Sequence, residues 1–258
     1  MCRVIGFLGS GSGVGKSTIV FELSKKLAER KFKVCVIDAY FNFNSLSLMF
    51  KLKNTCDLKE YLVLKKDMAC VLNKENDYLC FLKTNSSCFN YLKHKEDIEN
   101  LLQKLSQLFD YVLIDINQYS LNQMNFWLKI IQEVFLIIDD SKDSVLKAHR
   151  IMKKLSLKRD ILNVKIVMNK TSAIGQVKNL RLSPSEIEKF LKTDVLFCIP
   201  KFFKYNYFNY KKTQKKQKFL MEKFCDSFIT NKGCVFDYTK HYRGVIGFFR
   251  RLVCEKFE

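Results

Sequence analysis

A mostly parallel, doubly wound α/β sheet with helices on both faces is the architecture this sequence predicts, and three observations predict it. At least six short apolar runs alternate with stretches of helical periodicity. Two of those runs, Val36-Ile37-Asp38 and Tyr111-Val112-Leu113-Ile114-Asp115, end on a carboxylate; the C-terminal strand ends of an open α/β sheet face its ligand crevice. A glycine-rich turn, Gly9-Ser10-Gly11-Ser12-Gly13-Val14-Gly15-Lys16-Ser17-Thr18, stands between the first apolar run and the first helical stretch.

Arg3 to Leu8 reads as the first buried strand and Lys16 to Arg30 as the helix that follows the turn. Glycines 11, 13 and 15 let successive amides turn inward, and the helix adds the positive end of its dipole. The turn is thus an anion cradle of the P-loop NTPase type, formed by Ser12, Gly13, Val14, Gly15, Lys16, Ser17 and Thr18. In such a cradle Lys16 reaches the β and γ phosphates, and the Ser17 hydroxyl ligates magnesium. The strict pattern has glycine where Ser10 stands. A Gly/Ser loop that merely joins strand to helix is the bland alternative, and the Gly-Lys-Ser ending argues against it.

Lys33 to Asp38 forms the second strand, and Asp38 either approaches magnesium or its water or simply begins the next turn. Residues 67–91 are rich in Asn and Cys, with one strand expected at Tyr78 to Leu82 and no legible purpose. Ile98, Leu101, Leu102, Leu105 and Leu108 recur at helical spacing. Phe109 to Asp115 is a strand closing on an acid, the pattern of a Walker B carboxylate that holds magnesium through water. Glu133 to Ile138 is another strand, with Asp139, Asp140 and Ser141 as expected caps of a helix carrying Val145, Ala148, Ile151, Met152 and Leu155. Asn163 to Met168 ends at Asn169-Lys170, Ser183-Pro184-Ser185-Glu186 is a capping signal, and Asp194 to Ile199 is closed by Pro200.

Two C-terminal stretches remain open between readings. Lys201 to Lys223 interleaves aromatic rings with lysines, which suits either single-stranded nucleic acid or, the favoured reading, a helix whose rings pack on the sheet. The tail, residues 241–258, follows the domain at 1–240. As a helix it places Val245, Phe248, Phe249 and Leu252 on one face and Arg250 and Arg251 opposite. Such a face fits an anionic lipid headgroup layer or a last helix docked on its own domain.

Composition bounds the class. The 258 residues are 48% hydrophobic with only two prolines and nine glycines, so one domain with a sizeable core is expected. A formal charge of +19 suits phosphate polymers or anionic lipid, although a lysine- and asparagine-rich codon bias produces the same excess. Ten cysteines show no C-x-x-C pair, and most read as small buried hydrophobes of a reducing compartment. No apolar run approaches the roughly 18 residues of a membrane span, so the cytosol is expected, with at most a peripheral hold on the inner membrane face. His94, His149 and His241 sit in no nucleophile motif.

The loop at Gly9 to Thr18, the Val36-Ile37-Asp38 strand end, Asp115, Asn169, Ile199-Pro200 and the closing Gly247-Phe248-Phe249-Arg250-Arg251-Leu252 together resemble the MinD/ParA group of ATPases, MinD and FlhG above all. The resemblance implies ATP and Mg2+ as ligands, ADP as product, and a nucleotide-dependent regulator of division or flagellar placement. Lys16 and Asp38 would serve catalysis, Ser17 and Asp115 the metal, and Asn169 the adenine. It also implies a sandwich homodimer and a membrane-targeting tail. A ParA-like DNA-binding segregation protein is the alternative; a bacterial tyrosine-kinase relative lacks support because the tail has no clear tyrosine cluster. Two departures stand out: Gly11 occupies the position of the group's signature lysine, and Tyr40 that of its second aspartate. A phenol that titrates near 10 is no carboxylate base, and the group's Gly-rich segment after the Walker B acid is replaced by Ile116-Asn117-Gln118-Tyr119. ATP binding with slow or absent hydrolysis follows from the resemblance and these departures.

Overall fold

The fold is described from a computed structural model at residues 2–39, 45–51, 56–84, 91–116, 126–128, 130–131, 133–156, 163–201 and 215–235. Tyr40, Asn117 to Tyr119, the aromatic residues at 202–210 and the whole 241–258 tail lie outside them.

In chain order the strands are β1 (Arg3–Gly9), β2 (Val34–Ala39), β3 (Leu72–Asn76), β4 (Leu79–Lys83), β5 (Tyr111–Ile116), β6 (Glu133–Ile138), β7 (Asn163–Thr171) and β8 (Val195–Pro200). The helices are α1 (Lys16–Glu29), α2 (Ser45–Met49), α3 (Leu58–Leu64), α4 (Met68–Val71), α5 (Lys95–Leu108), α6 (Lys142–Ser156), α7 (Ala173–Val177), α8 (Pro184–Leu191) and α9 (Lys215–Thr230), with a 3-10 turn at Tyr91–His94. One eight-stranded sheet runs β3-β4-β2-β5-β1-β6-β7-β8. All neighbours are parallel except the edge pair β3 and β4. The expected doubly wound α/β class is therefore observed.

Strand alternation divides the core between the two faces. Ile5 and Phe7 of β1 join Phe21, Leu23 and Leu27 of α1 and Phe224 and Phe228 of α9. Leu8 faces the other way, with Ile98, Leu101 and Leu105 of α5, Trp127, and Val145 and Ala148 of α6. Burying one such large side chain stabilises by about 1.5–3 kcal/mol, which is why the central strands read as unbroken apolar runs. Gly6 lets the second layer approach: a Cβ there would stand 2.3 Å from Ile131 Cδ1.

Three expectations need correction. Residues 67–91 include a second strand, β3, whose hairpin with β4 adds the antiparallel edge. Asp140 does not cap α6: it is buried and accepts bonds from the Ser172 amide at 2.7 Å and from Gln176 at 3.2 Å, tying β6 to α7. Ser141 takes the cap instead, accepting from the Ser144 amide at 3.2 Å. Among the eight described cysteines, all unpaired, only Cys35 and Cys225 are fully buried, while Cys70 and Cys234 are exposed. Cys70 lies on the short α4, and Cys234 follows α9.

The capping box of α8 is as expected, with Ser183 and Glu186 bonded reciprocally and Pro184 at the first position. In the C-terminal region the helix begins at Lys215, and its buried rings are Phe224 and Phe228. His94 lies 3.4 Å from the Asp97 carboxylate, and the His149 ring is tilted against Phe190 with centroids 5.3 Å apart. Among the described residues no helix is long and apolar enough to cross a membrane.

Candidate functional site

The loop from Ser10 to Gly15 joins β1 to α1 where the sheet order switches, because β1 is flanked by β5 on one side and β6 on the other. A crevice forms at the carboxyl ends of strands at such a point. Ser10 is anchored there by its amide, which donates to the Ile137 carbonyl at 2.9 Å. Gly13 and Gly15 have φ of 73° and 89°, in the left-handed region that favours glycine. Gly15 has a second requirement: a Cβ would come within 2.3 Å of Asn169 Nδ2. Gly13 has no such neighbour and stands open.

Four predicted residues converge below the loop. Lys16 opens α1, is 9% exposed, and forms an ion pair with Asp115 Oδ1. Ser17 donates to Oδ2 of the same carboxylate at 2.6 Å. Asp38 is the parallel-register neighbour of Asp115 at the ends of β2 and β5, and both acids are essentially inaccessible to solvent. Burial pushes the Lys16 ammonium down to about 7, and the negative charge of Asp38 works against that shift. A buried ammonium against two carboxylates is the charge arrangement that a polyphosphate and a divalent cation would reorganise on entry.

Asn169, at the end of β7, donates from Nδ2 to the Val14 carbonyl at 2.8 Å. Its neighbour Lys170, itself at a left-handed φ of 58°, donates to the Gly13 carbonyl. Asn169 is thus placed at the loop, in a bond that braces its backbone. Ser12 and Gly13 are exposed, Val14 is buried, and Thr18 is half-buried on the first turn of α1.

The hard oxygen donors fit magnesium. One hydroxyl and two carboxylates suit an ion that keeps several waters and takes the rest of its shell from phosphate. Among the described residues no group of three or more His, Cys, Asp or Glu could hold a metal alone. Ser17 and Asp115 would hold the ion, and Asp38 would order its water. The open cradle over Gly13 suits the phosphates.

Sequence reasoning missed the contacts that reach the loop from α6 and β7. Ser10 Oγ lies 2.6 Å from Ser144 Oγ, and Ser144 Oγ also accepts from the Asp139 amide at 3.0 Å. The signal was the departure at Ser10 itself. Left-handed backbone is confined to Gly13 and Gly15 among the loop glycines, so serine is tolerated at position 10, and its hydroxyl finds a partner.

Comparison with known proteins finds a nucleotide-binding family over most of the chain. The family described as the CobQ/CobB/MinD/ParA nucleotide binding domain matches residues 5–206. The putative septum site-determining protein MinD of Chlorella vulgaris is 26% identical over 208 residues, covering 77% of this chain and 72% of that protein. The MinD cell division protein of Aquifex aeolicus is similar in structure with a TM-score of 0.77 at 19% identity, covering 91% of this chain and 100% of that one. The septum site-determining protein MinD of Pyrococcus horikoshii, complexed with Mg-ADP, gives 0.72 at 16% identity over 88% and 96%. At such identities the likeness of the two solved structures concerns the fold.

Proposed function

Because the chain belongs to the CobQ/CobB/MinD/ParA family of nucleotide-binding domains, we propose that it is a MinD-like ATP-binding protein, a nucleotide-dependent spatial regulator of the FlhG or MinD kind with weakened or lost hydrolysis. The observation that carries the reading is the meeting of Lys16, Ser17 and Asp115 beneath a loop whose Gly13 and Gly15 are left-handed. The Mg-ADP held by the Pyrococcus relative supports the choice of ligands.

In this reading the amides from Ser12 to Thr18 bind the phosphates, Lys16 leaves Asp115 for the β and γ phosphates, and Asn169 turns to the adenine. Bound magnesium would supply positive charge against the polyphosphate; Ser17 and Asp115 would hold it, and Asp38 would order its water. Hydrolysis is slow because Gly11 brings no cation and Tyr40 no carboxylate; losing a cationic contact to a transferring phosphoryl group costs about 10³-fold or more. A homodimer would depend on whether the altered loop still bridges two chains. A peripheral membrane hold through Val245, Phe248, Phe249 and Leu252, with Arg250 and Arg251 at the headgroups, is part of the proposal. The formal charge of +19 favours a second reading, non-specific DNA binding, which a salt titration separates because phosphate contacts weaken steeply with salt.

Equilibrium binding of ATP and ADP with and without Mg2+, together with sedimentation for mass, tests the reading. Binding of nucleotide that Lys16→Ala abolishes is expected. No affinity for any nucleoside triphosphate overturns it, and so, for the hydrolysis clause, does turnover comparable to that of ordinary family members.

A further inference from the structure

The loop itself carries one ammonium group, Lys16, and the buried groups it meets are two carboxylates. A triphosphate entering that setting brings several negative charges toward a site whose own charges are not positive in sum. Beside the magnesium held at Ser17 and Asp115, a further side-chain cation would favour the triphosphate, and position 11, where a side chain would project from the loop, is glycine.

Lys147 on α6 covers that position. A Cβ built on Gly11 meets only Lys147 Cδ among the described residues, at 4.0 Å. The approach is fixed by bonds. Ser144, three residues earlier on the same helix face, is held by Ser10 Oγ at 2.6 Å and by the Asp139 amide at 3.0 Å. The Lys147 ammonium pairs with Asp143 at 2.6 Å, and the two side chains are 48% and 74% exposed. An exposed pair one helical turn apart is weak and screened, and a polyphosphate competes with that carboxylate for the ammonium. Lys170, also beside the loop, donates to the Gly13 carbonyl.

We infer that Lys147 supplies the second cation of the nucleotide site, contacting the terminal phosphate of a bound nucleoside triphosphate from α6 where Gly11 leaves the loop without a side chain. The inference rests on the nucleotide-binding reading above, and it makes Lys147 the residue that distinguishes triphosphate from diphosphate.

The test is equilibrium binding of ATP and of ADP, each with Mg2+, to the purified full chain. A hydrogen bond to a charged group is worth about tenfold or more in affinity, so Lys147→Met should weaken ATP by about that factor while changing ADP less than about twofold. Lys154→Met removes the same charge from an exposed position farther along α6 and should leave both affinities unchanged. Gly11 is not in the left-handed region, so a side chain is tolerated there, and Gly11→Lys added to Lys147→Met should restore the preference for ATP. An unchanged ATP-to-ADP ratio in Lys147→Met, with wild type binding both nucleotides, overturns this inference and leaves the nucleotide-binding reading standing. An equal loss in Lys154→Met also overturns it, since the effect would then be one of net charge. Wild type binding neither nucleotide overturns both.

Discussion

Ser17 on α1 donates its hydroxyl to Asp115 on β5 at 2.6 Å, while Lys16, one residue earlier, pairs with the other oxygen of the same carboxylate. The first turn of α1 is thereby fastened to the central strand before any ligand arrives. Asp115→Ala would leave the Lys16 ammonium buried beside the Asp38 carboxylate without its ion-pair partner on β5. Breaking a buried pair by removing one partner costs about 3–5 kcal/mol, so nucleotide-free Asp115→Ala should unfold at clearly lower urea concentration than wild type. A midpoint unchanged from wild type would mean that the pair does not hold in solution.

The two left-handed glycines should differ in their tolerance of alanine. At Gly13 an added methyl meets nothing within 4 Å, so the cost is the left-handed backbone alone, about 1–2 kcal/mol. At Gly15 the same methyl drives into Asn169 Nδ2 at 2.3 Å and breaks the bond to the Val14 carbonyl. Gly15→Ala should therefore lose more stability than Gly13→Ala and should lose nucleotide binding even where the fold survives. Equal thermal shifts for the two variants would contradict the placement of Asn169.

The central strands and the loop were legible because each is dictated locally. β1, β2, β5 and β6 are buried on both faces and so read as apolar runs, and Asp38 and Asp115 mark their crevice ends. β3 was not legible. Its sequence, Leu72 to Asn76, is polar and mostly exposed because it lies at the sheet edge, where pairing with β4 asks little of the side chains. The exposure of Cys70 and Cys234 was not legible because residue type predicts burial only on average. Ser144 and Lys147 were invisible as site residues because their meeting with the loop joins positions more than a hundred residues apart. No local pattern encodes that.

The tail supports an assay that does not depend on the fold. Removing residues 244–258 takes away Val245, Phe248, Phe249 and Leu252 along with Arg250 and Arg251. If these lie in a headgroup layer, the truncated chain should no longer sediment with anionic vesicles while its nucleotide affinity persists. Unchanged sedimentation would remove the membrane clause from the proposed function.

Cys225 provides the pH prediction. Burial pushes its thiol up to about 11 from an ordinary value of 9.0, against the pull of the Arg30 charge. In the unfolded chain the thiol ionises near its ordinary value, so between about pH 9 and pH 11 the folded state holds a proton that the unfolded state has released. Stability therefore falls as pH rises through that window. Lys16 titrates in the opposite sense, since its lowered ammonium loses its proton first in the folded state; the difference between two variants isolates the thiol. Cys225→Ala should be less stable than wild type at pH 8, because it opens a cavity beside Phe224 and Phe228, yet the gap should narrow as pH approaches 11. In parallel, iodoacetamide at pH 8 should modify the exposed Cys70 and Cys234 well before the buried Cys225. A gap that stays constant from pH 8 to 11, or early alkylation of Cys225, would show that α9 does not seal this thiol against the sheet.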